Sequence, residues 1–307
     1  MATDRRSRTT WRFGNGHIPV YLDTGETRAA EIKHEEGGND RMAHAQRSGL
    51  EEDSQWGSAL LHFGLCLSRT AAKGRGVVSK KRFMAGDVVL RAEPAAFVVS
   101  ASDAVSRCHN CLTPSAHLKR CTGCGHARYC CAAHQQEAWT THKNECRMLQ
   151  RMRPRVPGAT IVLLARLLDQ LMVDDSTAAD GGGGTHAWTA GAAVRGLDSG
   201  VDNTAEERTN EFAKQAAMLY SLLAEVLPDR RPPPLGVAVS LLGTIARNAH
   251  TICDEELEPI GIGLYPLAAM TNHDCDPNAS QSFDGHTLVL RALRTIEQGD
   301  EISIGCN

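Results

Sequence analysis

The chain has 307 residues, 42% of them hydrophobic and 22% charged, with a formal net charge of −3. That length allows two or three domains and a real core. The net charge says little by itself, and no apolar run reaches the 18 residues that would suggest a membrane span, so no membrane partner is expected. Eleven cysteines without a secretory signal are expected in a reducing compartment and point to metal ligation rather than disulfides.

Residues 1–60 are polar and mixed in charge, with no sustained hydrophobic period, and read as a disordered tail. Residues 61–105 change character. A-A-K-G-R-G-V-V-S ends in β-branched residues, F-M-A-G-D reads as a turn, and D-V-V-L-R-A and A-F-V-V-S read as short strands. Gly74 and Gly76 flank Arg75, so the backbone there can approach a ligand closely; a plain turn explains the same pattern.

Residues 106–146 carry the strongest chemical signal. C-H-N-C (Cys108, Cys111) and C-T-G-C (Cys121, Cys124) are two C-x2-C pairs, followed by Cys130 with His134 and His142 with Cys146. The last two are i,i+4 pairs, which a helix places on one face. A closed structural zinc site takes four such ligands, so these eight account for two zinc ions. A segment with so little core of its own draws its folding free energy from metal. Over residues 107–155 nine Lys or Arg stand against two Glu, a local balance of +7, which leaves −10 for the rest. Such a field can steer nucleic acid or acidic protein surfaces, and a solvated face is the plain alternative.

Residues 147–247 read as a helical insert. The aliphatic stretch 159–173 predicts a buried helix, and Gly181–Gly184 lie in a flexible loop over 174–204. Thr204 with Glu207 suggests a capping box opening a helix to Val226. Pro232–Pro234 break the chain before a helix over 235–248. Residues 248–307 return to strands. Asp284-Gly285 reads as a hairpin turn between strands, and E-I-S-I closes the segment. Asn272-His273 before Cys275 and Pro277-Asn278 could be no more than loop capping.

The string Y-C-x3-H-Q-x3-W-x2-H-x2-E-C is similar to a MYND zinc finger, with His134 where that family usually has cysteine. The resemblance implies a cross-brace: Cys108 and Cys111 with Cys130 and His134, Cys121 and Cys124 with His142 and Cys146, and Cys131 as a bystander. G-R-G, an inserted MYND finger, a helical insert, R-N-A-H-T-I-C-D-x-E-x-x-P-I-G-I-G-L-Y-P, then N-H-x-C-x-P-N and R-A-x-R-x-I-x-x-G-D-E-I together resemble the SET-and-MYND lysine methyltransferases over roughly residues 65–306. The implied fold is α+β, small SET-type sheets interrupted by the zinc finger and the helical insert.

The implied activity is methyl transfer from S-adenosylmethionine to a protein lysine, histone or non-histone. By position, Lys73, Gly74, Arg75, Asn248, Asn272 and His273 match cofactor-binding residues, and His250 falls where relatives have an aromatic lining the lysine channel. MYND relatives bind proline-rich peptides, and the basic segment leaves nucleic acid open; a monomer in cytoplasm and nucleus is expected. Cys306 stands where the family has an active-site tyrosine, and the chain stops at Asn307 before a post-SET C-x-C-x2-C segment and a C-terminal helical domain. Catalysis is therefore expected to be impaired, Cys275 is expected to be a free thiol, and a truncated product is the favoured explanation. The alternative is a non-catalytic, zinc-dependent interaction module.

Overall fold

The structure is a computed structural model that describes residues 10–13, 16–19, 56–70, 74–179 and 190–305. The chain divides into two units, Met1–His44 and Ala45–Asn307. In the first, β1 (Thr10–Phe13) and β2 (Gly16–Pro19) pair as an antiparallel hairpin. Most of the tail read as disordered lies outside the described residues. In the second unit a short helix, α1 (residues 56–62), comes earlier than the sequence suggests. It inserts Trp56 and Leu60, both fully buried, into the main core, so the folded part starts ahead of the expected residue 61.

Two sheets carry most of the rest of that unit, and a short antiparallel pair, β7 (Lys119–Arg120) with β8 (Arg128–Tyr129), lies in the zinc segment. The larger sheet runs β3 (Leu65–Thr70), β4 (Gly74–Ser79), β14 (Glu301–Ile304), β12 (Ala279–Asp284), β13 (Thr287–Ala292), β5 (Val88–Ala92), with β11 (Asn272–His273) added beside β14. The smaller is β6 (Ala96–Val99), β10 (Pro259–Leu264), β9 (Ala249–Cys253). Strands from both ends of the sequence interleave, because β4 pairs with β14 across more than 220 residues. β13 presents Leu288, Val289 and Leu290 as a continuous buried run, the pattern of a strand covered on both sides. The hairpin between β12 and β13 turns on Gly285-His286 rather than on Asp284-Gly285: Asp284 still pairs with Thr287. Gly285 at φ +60° supplies the left-handed first position that such a two-residue turn demands.

The insert packs as helices. α2 (Ala132–Met152) belongs to the zinc segment, followed by α3 (Ala159–Ala179), α4 (Ala190–Arg195), α5 (Glu206–Val226) and α6 (Leu235–Asn248). α3 buries Leu163, Leu164, Leu167 and Leu168 against the core. Two expectations change here. The loop over 174–204 contains helix through Ala179 and again over Ala190–Arg195, and Gly181–Gly184 lie outside the described residues. No capping box forms: the residue before α5 is Ala205, without a side-chain cap, and Thr204 Oγ1 donates instead to Gly200 O at 2.7 Å. Thr204 reaches back because a 3-10 turn over Val201–Asn203 already occupies its N-terminal side. Among the described residues no helix is long and apolar enough to cross a membrane.

Candidate functional site

The zinc segment is built from two matching knuckles. In each C-x2-C loop the residue after the second cysteine donates its N–H to the first cysteine's carbonyl, Leu112 to Cys108 at 2.9 Å and Gly125 to Cys121 at 2.8 Å. Both have left-handed backbones, φ +61° and +67°. Glycine adopts this without penalty; Leu112 does so against its preference, held by burial to 2% exposure. Helix α2 then presents the remaining ligands. The result is two clusters, Cys108, Cys111, Cys130 and His134, and Cys121, Cys124, His142 and Cys146, the second wholly buried. This is the pairing that the family resemblance implied.

Both clusters fit zinc. Zn–S of about 2.3 Å and Zn–N of about 2.0 Å in a tetrahedron require S···S near ~3.8 Å and S···N near ~3.6 Å. The second cluster shows Cys121 Sγ to Cys146 Sγ at 3.8 Å and Cys124 Sγ to His142 Nε2 at 3.6 Å. In the first, Cys111–Cys130 and Cys108–His134 span 3.9 and 3.8 Å, while the Cys130 Sγ–His134 Nδ1 edge is tighter at 2.9 Å. The thiols are poised for a cation. Burial opposes ionisation, but backbone N–H groups outweigh it and bring Cys108 to about 7. Burial likewise opposes Cys124, which the hydrogen bond from His142 brings down to about 6. Burial and neighbouring thiols push Cys130 up to about 12 and Cys146 up to about 11. A divalent ion would offset the charge that neighbouring thiolates otherwise set against one another. Cys131 is exposed and outside both clusters, and its Sγ caps α2 by accepting from His134 N at 3.5 Å.

At the other site, chain threading positions the side chains. β11 runs parallel to β14, Asn272 opposite Ser303 and His273 opposite Ile304. Asn272 Nδ2 donates to Glu301 Oε1 at 2.7 Å and to Arg75 O at 3.1 Å. Asn278 clasps the same strand from the other side, donating to Glu301 O at 2.7 Å and accepting from Ser303 N at 2.9 Å. Gly76 lets Asn272 and Glu301 meet, since a Cβ there would stand 2.7 Å from Glu301 Oε1 and 2.8 Å from Asn272 Nδ2.

Arg75 and Asn248 converge on one loop of the insert. Arg75 Nη2 donates to Gly196 O at 2.9 Å, and Asn248 Nδ2 donates to Asp198 O and Thr244 O, each at 2.9 Å. The sequence reading noted Asn278 only as part of N-H-x-C-x-P-N and did not single out Gly196, Asp198 or Glu301; for these the acidic residue of G-D-E-I was the signal within reach. Gly74 is exposed at the start of β4 with φ +70°. His273 is exposed, and its Nε2 lies 3.5 Å from the Sγ of Cys275, also exposed and outside both clusters. Lys73 and Cys306 lie outside the described residues.

His250 is half-buried on β9. Its Nδ1 is 2.9 Å from Gln281 Oε1, and its ring meets Tyr265 edge-on at 5.7 Å. Burial lowers its pKa, with the Gln281 bond opposing. The imidazole is therefore neutral at pH 7, with Nδ1 protonated toward Gln281 and a lone pair on Nε2.

The zinc segment is fastened to the sheets by polar contacts. Arg107 Nη2 meets Asp254 Oδ2 at 2.6 Å, both side chains mostly buried. His286 Nδ1 lies 3.1 Å from Asn110 O, and its ring stacks on Phe97 at 4.7 Å. Several of the basic residues are paired within the chain: Arg107 on the mostly buried Asp254, Arg151 on Glu225 at the surface, Arg153 on the carbonyls of Gly123 and Cys124.

Comparison with known proteins agrees with this architecture. The SET domain family profile matches residues 74–307. The chain is 32% identical over 237 residues to "Histone-lysine N-methyltransferase SMYD3" of Homo sapiens, covering 76% of this chain and 53% of the relative. It is 30% identical over 248 residues to "Histone-lysine N-methyltransferase ASHR1" of Arabidopsis thaliana, covering 78% and 48%. It is 29% identical over 235 residues to "N-lysine methyltransferase SMYD2" of Rattus norvegicus, covering 76% and 52%. Among solved structures, the SET domain of LSMT bound to lysine and AdoHcy aligns with a TM-score of 0.41 at 12% identity, covering 83% of this chain and 54% of that one. The chain spans about half the length of the curated relatives it matches. With the profile running through both strand-rich segments and the zinc segment between them, the chain belongs to the SET-domain family, among its SET-and-MYND members.

Proposed function

We propose that this chain carries the catalytic core of an S-adenosylmethionine-dependent protein-lysine N-methyltransferase. One observation supports the reading most: Asn272, threaded beside β14, holds the G-R-G strand and the G-D-E-I strand together through Arg75 O and Glu301. Arg75, Asn248, Asn272 and His273 are then the residues that would hold the cofactor, with the Gly196–Asp198 backbone as the wall to which Arg75 and Asn248 are tied. The cofactor supplies an electrophilic methyl group; the protein's task is to align it with the lysine nitrogen and to present that amine neutral. Lysine's reference pKa is about 10.4 and falls on desolvation. The neutral His250 adds no positive charge that would oppose a lysine entering beside it. The substrate is a lysine-bearing protein, histone or non-histone, met in nucleus or cytoplasm. The test is transfer of a labelled methyl group to core histones and to a cell extract by zinc-loaded protein. Signal above an Asn272→Ala control that still folds supports the reading; equal signal from both removes it.

A second reading rests on a groove of 660 Å³ on the zinc segment, lined by Gln135, Gln136, Trp139 and the Cys121–Gly123 turn. Trp139 is 45% exposed there. An open indole flanked by two amides suits an extended proline-rich peptide, which stacks on aromatics and offers carbonyls to donors. Trp139→Ala should abolish binding of a proline-rich peptide library while leaving methyl transfer intact. Nucleic acid is the weaker partner, given that Arg107 and Arg153 are tied to groups of the chain itself and the exposed Arg151 is neutralised by Glu225. Absence of binding at low salt would remove it.

A further inference from the structure

His142 is 1% exposed and uses Nε2 toward the second cluster. Its other ring nitrogen, Nδ1, is buried without a hydrogen-bond partner. The nearest acceptor is Glu145 Oε1 at 3.4 Å, three residues on along α2. Glu145 is 5% exposed, and its second oxygen accepts from Arg166 Nε at 2.6 Å. Glu145 thus stands between the guanidinium of Arg166 and the imidazole of His142. Arg166 in turn donates Nη1 to Phe97 O on β6, and its guanidinium lies over the Phe97 ring at 6.0 Å. A line of buried polar groups therefore runs from the metal cluster through α2 and α3 to the smaller sheet, hydrogen-bonded from Glu145 onward and spaced at 3.4 Å between His142 and Glu145.

We propose that Glu145 is the positioning residue of the second zinc site. It takes the Nδ1–H of His142 and, through Arg166, fastens that site to β6, so that zinc loading and order in β6 rise and fall together. When Nε2 binds a metal, the ring's proton must sit on Nδ1, which faces Glu145 Oε1 at 3.4 Å. A carboxylate there fixes the ring and makes it a better ligand. The same carboxylate neutralises Arg166, which otherwise would be a buried charge next to a metal ion. The proposal stands on the zinc fit and is independent of methyl transfer.

The test uses the full 307-residue chain loaded with two zinc ions and titrated with a chromogenic chelator. Alkylation of the freed cysteines shows which cluster has emptied. In Glu145→Gln the zinc of Cys121 and Cys146 should leave at an affinity about 10–100-fold weaker, with that of Cys111 and Cys130 unchanged. Glu137→Gln, whose carboxylate accepts from Asn110 near the first cluster, should leave the second cluster as it was. In a second arm the unaltered chain is chelated stepwise and amide exchange followed. Loss of the second zinc should accelerate exchange in Ala96–Val99 ahead of the β3–β4 pair. Unchanged affinity in a folded Glu145→Gln protein would overturn the positioning role. Unchanged β6 exchange after the second cluster has emptied would overturn the coupling. Should Glu145→Gln not fold, the chelation arm on the unaltered chain decides the coupling, and Glu145→Asp, which draws the carboxylate back from His142, takes its place in the affinity arm.

Discussion

Gly76→Ala is the sharpest probe of the threaded site. The added methyl would lie 2.7 Å from Glu301 Oε1 and 2.8 Å from Asn272 Nδ2, where van der Waals contact needs roughly half an ångström more on each side. Neither atom can yield alone, because the two are bonded to each other at 2.7 Å and Asn272 is also bonded to Arg75 O. Overpacking of this kind costs about 1–3 kcal/mol. A hydrogen bond to a charged partner, if broken, adds about 1.5–3 kcal/mol. The expected loss in urea unfolding is thus about 1–3 kcal/mol if the bond survives and about 2.5–6 kcal/mol if it breaks. Displacing Asn272 should also weaken S-adenosylmethionine binding by calorimetry tenfold or more, about 1.4 kcal/mol per decade. Gly236→Ala is the control: a Cβ there meets nothing within 4 Å in the first turn of α6, and the change should stabilise by about 0.4–1 kcal/mol. If Gly76→Ala matched wild type in both assays, the Asn272–Glu301 contact would not be what joins the two strands.

Arg107→Ala should cost about 2–3 kcal/mol in urea unfolding, because it strands the mostly buried Asp254 and loosens the hold of the zinc segment on the β9–β10 turn; a double-mutant cycle with Asp254→Ala that shows no coupling would refute this. Tyr265→Phe removes the 2.6 Å bond from a fully buried hydroxyl to His286 O and should cost about 1–2 kcal/mol, read as a lowered melting temperature. His250 has a depressed pKa in the folded protein, so the unfolded chain binds the proton more readily. Its contribution to stability is complete above the unfolded value of about 6.5 and declines as pH falls below it, by at most about 1.4 kcal/mol per pH unit. His250→Phe should flatten the stability profile between pH 6.5 and the acid limb, and an unchanged slope would show that His250 is not the group responsible.

What could be read from the sequence was what depends on short separations. The eight zinc ligands stand out because C-x2-C and i,i+4 spacings are local geometry, and both knuckles close on their own backbone at Leu112 and Gly125. The aliphatic runs of α3 and α6 likewise announce buried helices, and Pro232–Pro234 mark where α6 can begin. Where local signals competed, the surrounding structure decided. Thr204 turned back to Gly200 instead of capping α5, and Trp56 joined the core from a stretch whose neighbours are polar. Asn272 could be read alone as a loop cap. Its meeting with Glu301 and Arg75, 29 and 197 residues away, exists only once β11 is laid beside β14. The same holds for Glu145 and Arg166, whose pairing needs α2 and α3 packed together. Contacts of that separation carry no spacing rule, since any loop long enough can bring them together. Burial and the pairing of every polar group inside it then select which ones form.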